Sequence, residues 1–158
     1  MNDKVTLKSN LHGEVIINLP ELHFKRSLPK FGSKITMDKK IFDEAVYDIG
    51  FSNMIKDGAI FVEEMEAKKE HGFEPEDATE PVNIIDTDEK FFKRCATVMP
   101  IAEFKKVLNR LTQSQKQSLV IYFVDHVNDL KMDKINLVNT VCKVNIVKMA
   151  ESQQELEG

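Results

Sequence analysis

The side chains able to do chemistry in this chain are few and scattered. Four histidines (His12, His23, His71 and His126) and two cysteines (Cys95 and Cys142) are the natural metal ligands and nucleophiles. None of the histidines stands three or four residues from another histidine or a cysteine, and Cys-x-x-Cys is absent. Zinc sites need ligands at such spacings to close a tetrahedron. Asp125-His126-x-x-Asp129 comes nearest, and reads as ordinary surface polarity. Cys95 has Lys93 and Arg94 beside it, which favour a thiolate, but on a helix it shares a face with Phe91, Phe92 and Met99. Burial as a small hydrophobe is therefore expected, and the same holds for Cys142 in its apolar setting. Six glycines form no glycine-rich loop before a helix, which removes the usual phosphate cradles. Twelve acids crowd residues 57–89, in a stretch with too little regular backbone to preorganise a catalytic pair. The chain is expected to be no enzyme, with no metal and no cofactor.

Charge is the stronger signal. The net charge of −4 is mild, but it hides segregation. Residues 23–40 hold six bases against one acid, residues 57–89 twelve acids against two bases, and residues 90–149 eleven bases against four acids. Fields of this kind steer association and set the register of partners. Lys25, Arg26 and Lys30 on the basic side, and Glu74, Glu76, Asp77 and Glu80 on the acidic side, are the expected partner-binding residues. The segment "HFKRSLPKFGSK" also interleaves Phe24 and Phe31 with four bases, a pattern that can track phosphates and stack bases. Phe24, however, falls on the apolar side of an alternating strand, and no nucleic-acid reader motif is present.

The elements that must position these residues follow from hydrophobic period. Val5 and Leu7, then Val15, Ile17 and Leu19, then Leu22 and Phe24, then Ile35 and Met37 recur at every second position, as strands with one buried face do. Asp38 is placed to cap a helix whose stripe is Ile41, Phe42, Ala45, Val46 and Ile49, with Gly50 at its exit. "FSNMIKDG" adds a short helical piece, "AIFVEE" a returning strand, and "MEAKKEH" a short helix ending at Gly72. From Thr87, a potential cap, the period is helical. Phe91, Phe92, Cys95, Ala96 and Met99 form one stripe, and Pro100 breaks it. Ile101, Phe104, Val107, Leu108 and Leu111 form the next. Thr112 opens a third helix with Leu119, Phe123, Val127 and Leu130. Asp133 opens a fourth, "KINLVNTVCKVNIVKMA", whose Val and Ile content also admits a strand but whose Ile135, Val138, Val141, Cys142 and Met149 fit a helix, and "ESQQELEG" reads as a frayed tail.

The fold class expected is α+β. A small N-terminal antiparallel β-sheet with one or two helices occupies residues 1–72. An extended acidic strap with two prolines occupies 73–86, a C-terminal helical bundle 87–150 and a tail 151–158. Prolines push Glu74 and Glu80 toward extended backbone, and Val82, Ile84 and Ile85 give the strap an apolar end that packs down. Without a signal-like or long uncharged apolar run, an intracellular setting is expected.

The phrases "LPELHFKR", "FDEAVYDIG", "GFEPEDATEPVNII" and "VMPIAEFKKVL" together resemble small, little-characterised bacteriophage proteins of the virion-structural or accessory kind, over roughly residues 15 to 110. The resemblance carries no catalytic residues. It implies a virion component such as a head–tail connector, ring or auxiliary head protein, found in the host cytoplasm or the virion. Its partners would be further copies of itself, as a homo-oligomer, or other virion proteins. The alternative is a nucleic-acid-binding or host-directed phage regulator.

Overall fold

A computed structural model describes residues 3–157. The chain is α+β and falls into two compact units, which divide between Asp86 and Thr87.

The first unit is built on alternation. Strand β1 (Lys4–Ser9) lies between β4 (Lys34–Asp38) and β5 (Ile60–Val62), antiparallel to both, in the order β4-β1-β5. Val5 stands opposite Met37, and Leu7 lies opposite Ile35 on one side and Val62 on the other, so the apolar sets share a face. Strands β2 (Val15–Leu19) and β3 (Phe24–Leu28) form a separate antiparallel pair, with Leu19 opposite Phe24. The turn between them is a single 3₁₀ turn, Pro20–Leu22, closed by His23 in the left-handed region. The expected alternation through Leu22 therefore stops at Pro20, whose missing N–H and fixed φ suit a turn start. Val5, Leu7, Ile17, Leu28, Met37, Phe42, Phe51 and Ile60 are the heart of one buried cluster.

Both expected helical pieces of residues 39–58 are present, but the break between them comes before Ile49 and not at Gly50. Helix α1 (Lys39–Ala45) stops early, and α2 (Ile49–Lys56) begins afresh after a gap of three residues. Asp48 is the reason. Its carboxylate accepts the N–H of Phe51 at 2.9 Å, an N-cap bond that satisfies one orphan donor of α2. Gly50 is accordingly inside α2 and not at an exit, and Asp38 makes no capping bond to α1. Helix α3 (Met65–Glu70) ends as expected at Gly72, whose φ of +76° is left-handed. Phe73 N–H reaches back to the carbonyl of Lys68 and Gly72 N–H to that of Lys69, the double bond pattern of a Schellman end.

The second unit is helical: α4 (Glu89–Ala96), α5 (Ile101–Arg110), α6 (Gln113–Asp125), α7 (Met132–Cys142) and α8 (Ile146–Glu157). Asp88, one residue after the expected Thr87, caps α4 through the N–H of Phe91, while Thr112 and Gln115 form a reciprocal capping box on α6. Helix α6 is central, with α4, α7 and α8 against it. Phe104 of α5 and Phe123 of α6 stack with ring centres 5.8 Å apart. Two expectations are corrected here. The Val/Ile-rich last segment is not one helix. Lys143 adopts φ 57°, and Asn139 Oδ1 then accepts the N–H of Ile146, which starts α8 afresh. The polar tail is not frayed backbone but the body of α8 through Glu157. Asp133 lies inside the first turn of α7, behind an N-cap at Lys131.

Candidate interaction surface and polar clusters

The strap over residues 73–86 is ordered by its own side chains and packs with the first unit. Glu74 is 3 % exposed. Its carboxylate accepts the backbone N–H groups of Val82 (2.9 Å) and Asn83 (2.6 Å), with Ile84 N–H at 3.3 Å. Asn83 Nδ2 donates in return to the carbonyl of Phe73 at 2.8 Å. The expectation that Glu74 faces a partner is thus overturned. Proline at 75 fixes the turn that aims its carboxylate at an N–H row no regular ladder uses, and burial without such donors would be costly. Glu76, Asp77 and Glu80, in contrast, point outward and are exposed.

The far end of the strap is tied to the sheet. Asp86 pairs with Lys8 on β1, whose stem is buried, and the Lys8 and Lys68 ammonium groups lie 5.5 and 4.3 Å from the centre of the Phe61 ring. Burial pulls the Lys68 pKa below 10.5, against the opposing pull of Glu74, Asp86 and Glu64.

The expected basic residues Lys25, Arg26 and Lys30 are all exposed, on β3 and the turn after it, and form no ion pair among the described residues. Phe24 is buried, and the Arg26 guanidinium lies 5.1 Å from its ring centre, so that face is closed to a base. Phe31 stacks on His12, with 4.8 Å between ring centres.

The hydrophobic period did not foretell one strongly exposed apolar pair. Tyr47 is 83 % and Ile49 77 % exposed. They border an open cleft of about 670 Å³ with Leu19, Pro20 and Leu22 across from them. Three acids also line it, Glu21, Glu44 and Asp48, and no base does. Ile49 belongs to the helical stripe only if α1 runs on. The Asp48 cap breaks that run and turns Ile49 outward.

A polar knot joins α1 to the end of α3. Lys39 Nζ sits 2.8 and 2.9 Å from the two carboxylate oxygens of Asp43 and 2.5 Å from Glu70, and His71 Nε2 lies 2.7 Å from Asp43 Oδ1. Phe42 meets the His71 ring edge-on. The hydrogen bonds that Lys39 donates to Asp43 and then Glu70 raise its pKa above 10.5. Burial raises that of Asp43, but the bonds from Lys39 and His71 outweigh it and hold the carboxyl below 3.8. Asp43, Glu70 and His71 are the one converging set of potential metal donors among the described residues. The ammonium of Lys39 already occupies the space between the two carboxylates.

In the second unit Lys134 is buried against α4. Its ammonium donates to the carbonyls of Cys95 and Met99 and lies 4.8 Å from the Phe104 ring centre. Carbonyls past the last turn of a helix have no partner within it, and a cation suits that end of the dipole. Cys95 is fully buried, and burial pushes its thiol pKa up to about 12 despite Lys134 and Arg94, which pull it down. The thiolate chemistry that Lys93 and Arg94 suggest does not arise.

Among the described residues no helix is long and apolar enough to cross a membrane. No protein-family model, curated protein or solved structure matches the chain.

Proposed function

We propose that the chain is a non-enzymatic assembly protein that associates with further copies of itself through the Tyr47–Ile49 cleft. The carrying observation is that two large apolar side chains stand almost fully in water beside a cleft whose charged lining is wholly acidic. Tyrosine anchors with a polar rim are the usual makings of a protein interface. The occupant is assigned by charge: Lys25, Arg26 and Lys30, exposed and without ion pairs, are the complement of Glu21, Glu44 and Asp48. Together with the phage resemblance, this supports a virion component such as a connector, ring or auxiliary head protein.

Sedimentation velocity tests the reading. Association is expected at low salt, weaker at high salt because exposed charges are screened, and abolished by Tyr47→Ala with Ile49→Asp. A monomer at every salt concentration and protein concentration up to the millimolar range overturns it. Finding the protein in purified particles supports the virion setting, and its absence from them removes that setting.

A further inference from the structure

The second unit holds a cleft of about 510 Å³ that the assembly reading does not use. Helix α4 lines it with Glu89, Lys90 and Lys93, α6 with Tyr122, the position just past α6 with His126, and the following turn with Asp129. Its size is that of a small-molecule site.

His126 is set in one form. Its Nδ1 lies 2.8 Å from the backbone carbonyl of Tyr122. A carbonyl oxygen only accepts, so Nδ1 carries a proton, and in the tautomer with that single proton the lone pair lies on Nε2. The ring lies flat on Tyr122, with 4.0 Å between centres and 21° between planes, which fixes its direction. Burial, and then the negative charges of Glu89 and Asp129, raise the Tyr122 pKa. Lys90 and Lys93 supply the opposite sign from α4. None of these four charged groups forms an ion pair among the described residues, although Glu89 and Lys93 stand one helical turn apart, the spacing at which such pairs close. Ala96 and Leu130 add an apolar wall.

We infer that this cleft binds a small zwitterion of amino-acid size. Its ammonium sits between Glu89 and Asp129 and gives one N–H to His126 Nε2, while its carboxylate meets Lys90 and Lys93. The aromatic pair and the Ala96–Leu130 wall take an apolar side chain. The acids and bases are both required, and this separates the proposal from simple anion or cation capture.

The test is a titration of the whole chain followed by the imidazole C–H signals of His126 in NMR, with three probes. Phenylalanine carries both charges, N-acetylphenylalanine lacks the cation and phenylalaninamide lacks the anion. Saturable shifts are expected with phenylalanine. Loss of either charge should weaken binding by about tenfold or more, the scale of one charge-assisted hydrogen bond. Glu89→Gln with Asp129→Asn, both at exposed positions, should bring phenylalanine down to the level of its N-acetyl form and leave the melting temperature in place. Equal binding of all three probes, or no saturable shift up to about 10 mM (a free energy weaker than about 3 kcal/mol), overturns the proposal. Neither outcome bears on self-association, which resides in the other unit.

Discussion

The Glu74 carboxylate takes the Asn83 N–H at 2.6 Å, and the Asn83 side-chain amide donates to the carbonyl of Phe73, the residue before Glu74. Proline interrupts this part of the chain twice and leaves its N–H groups without a ladder. A single buried acid supplies the missing acceptors.

Glu74→Ala should therefore cost about 1.5–3 kcal/mol, the range for hydrogen bonds to a charged group. It should also remove hydrogen-exchange protection at Val82, Asn83 and Ile84. Glu74→Gln keeps the shape and one acceptor and should lose about 1 kcal/mol. Urea unfolding and exchange measurements read both. Unchanged protection in the alanine variant would show that the clamp does not hold the strap.

Lys134→Ala should destabilise by about 2–4 kcal/mol, because two buried carbonyls lose a charged donor and packing on Phe104 is lost. Lys134→Met keeps the stem and removes a charge that burial disfavours, so it should cost less. Burial lowers the Lys134 pKa below 10.5. The folded state thus gives up the proton first. The penalty of the buried charge is whole at neutral pH and is relieved as pH rises from the lowered value toward 10.5. The gap between wild type and Lys134→Met, read by chemical denaturation against pH, should shift in favour of wild type over that range.

The two cysteines should react unequally. Cys95 is sealed, with its thiol pushed up to about 12. Cys142 is half-buried, and burial raises its pKa with Lys116 opposing. Iodoacetamide at pH 8, followed by mass spectrometry, should modify Cys142 first and Cys95 only at the rate of unfolding. Equal rates in the folded protein would contradict the burial of Cys95.

The Lys39–Asp43 tie should work across the whole neutral range. The folded pKa of Asp43 is depressed, so its contribution is present above 3.8 and fades as pH falls through the lower folded value. That of Lys39 is raised, so its contribution is whole below 10.5 and is lost as pH climbs through the higher folded value. Asp43→Asn should lower the melting temperature at pH 7, and the difference from wild type should shrink in acid below 3.8. A difference that stays constant with pH would place the effect in packing and not in charge.

Lys143→Gly should stabilise by about 1 kcal/mol. A side-chain residue at φ 57° carries a strain that glycine lacks, and this is the C′ place where glycine is preferred. Thermal melts read the change, and a fall in stability would mean that the Lys143 side chain does more than its exposed position indicates.

Local period made much of this fold legible. Val15, Ile17 and Leu19 face inward as alternation requires, and Thr112 caps α6 as its type and place predict. Period failed where one side chain reset it. The stripe from Ile41 to Ile49 fits a single helix, yet Asp48 captures the Phe51 N–H and starts another. Asn139 does the same for Ile146. Both are short polar residues competing for backbone donors, and a periodicity count weighs them no differently from solvent-facing neighbours. The polar knot was beyond reach for another reason: Asp43 and His71 are 28 positions apart and meet only because α1 and α3 fold together. Glu74 was counted among surface acids because composition does not reveal that N–H groups eight to ten residues on lack acceptors.

The pairing of Asp86 with Lys8 also defines a path for mechanical load. A pull on the chain from beyond Thr87 reaches the first unit at Asp86, and from there enters β1 through Lys8. That strand is the middle one of three, bonded to a neighbour along each side. Tension arriving there is shared between two ladders in place of peeling an edge strand one bond at a time. A pull at this joint thus meets the inside of the sheet and not its edge.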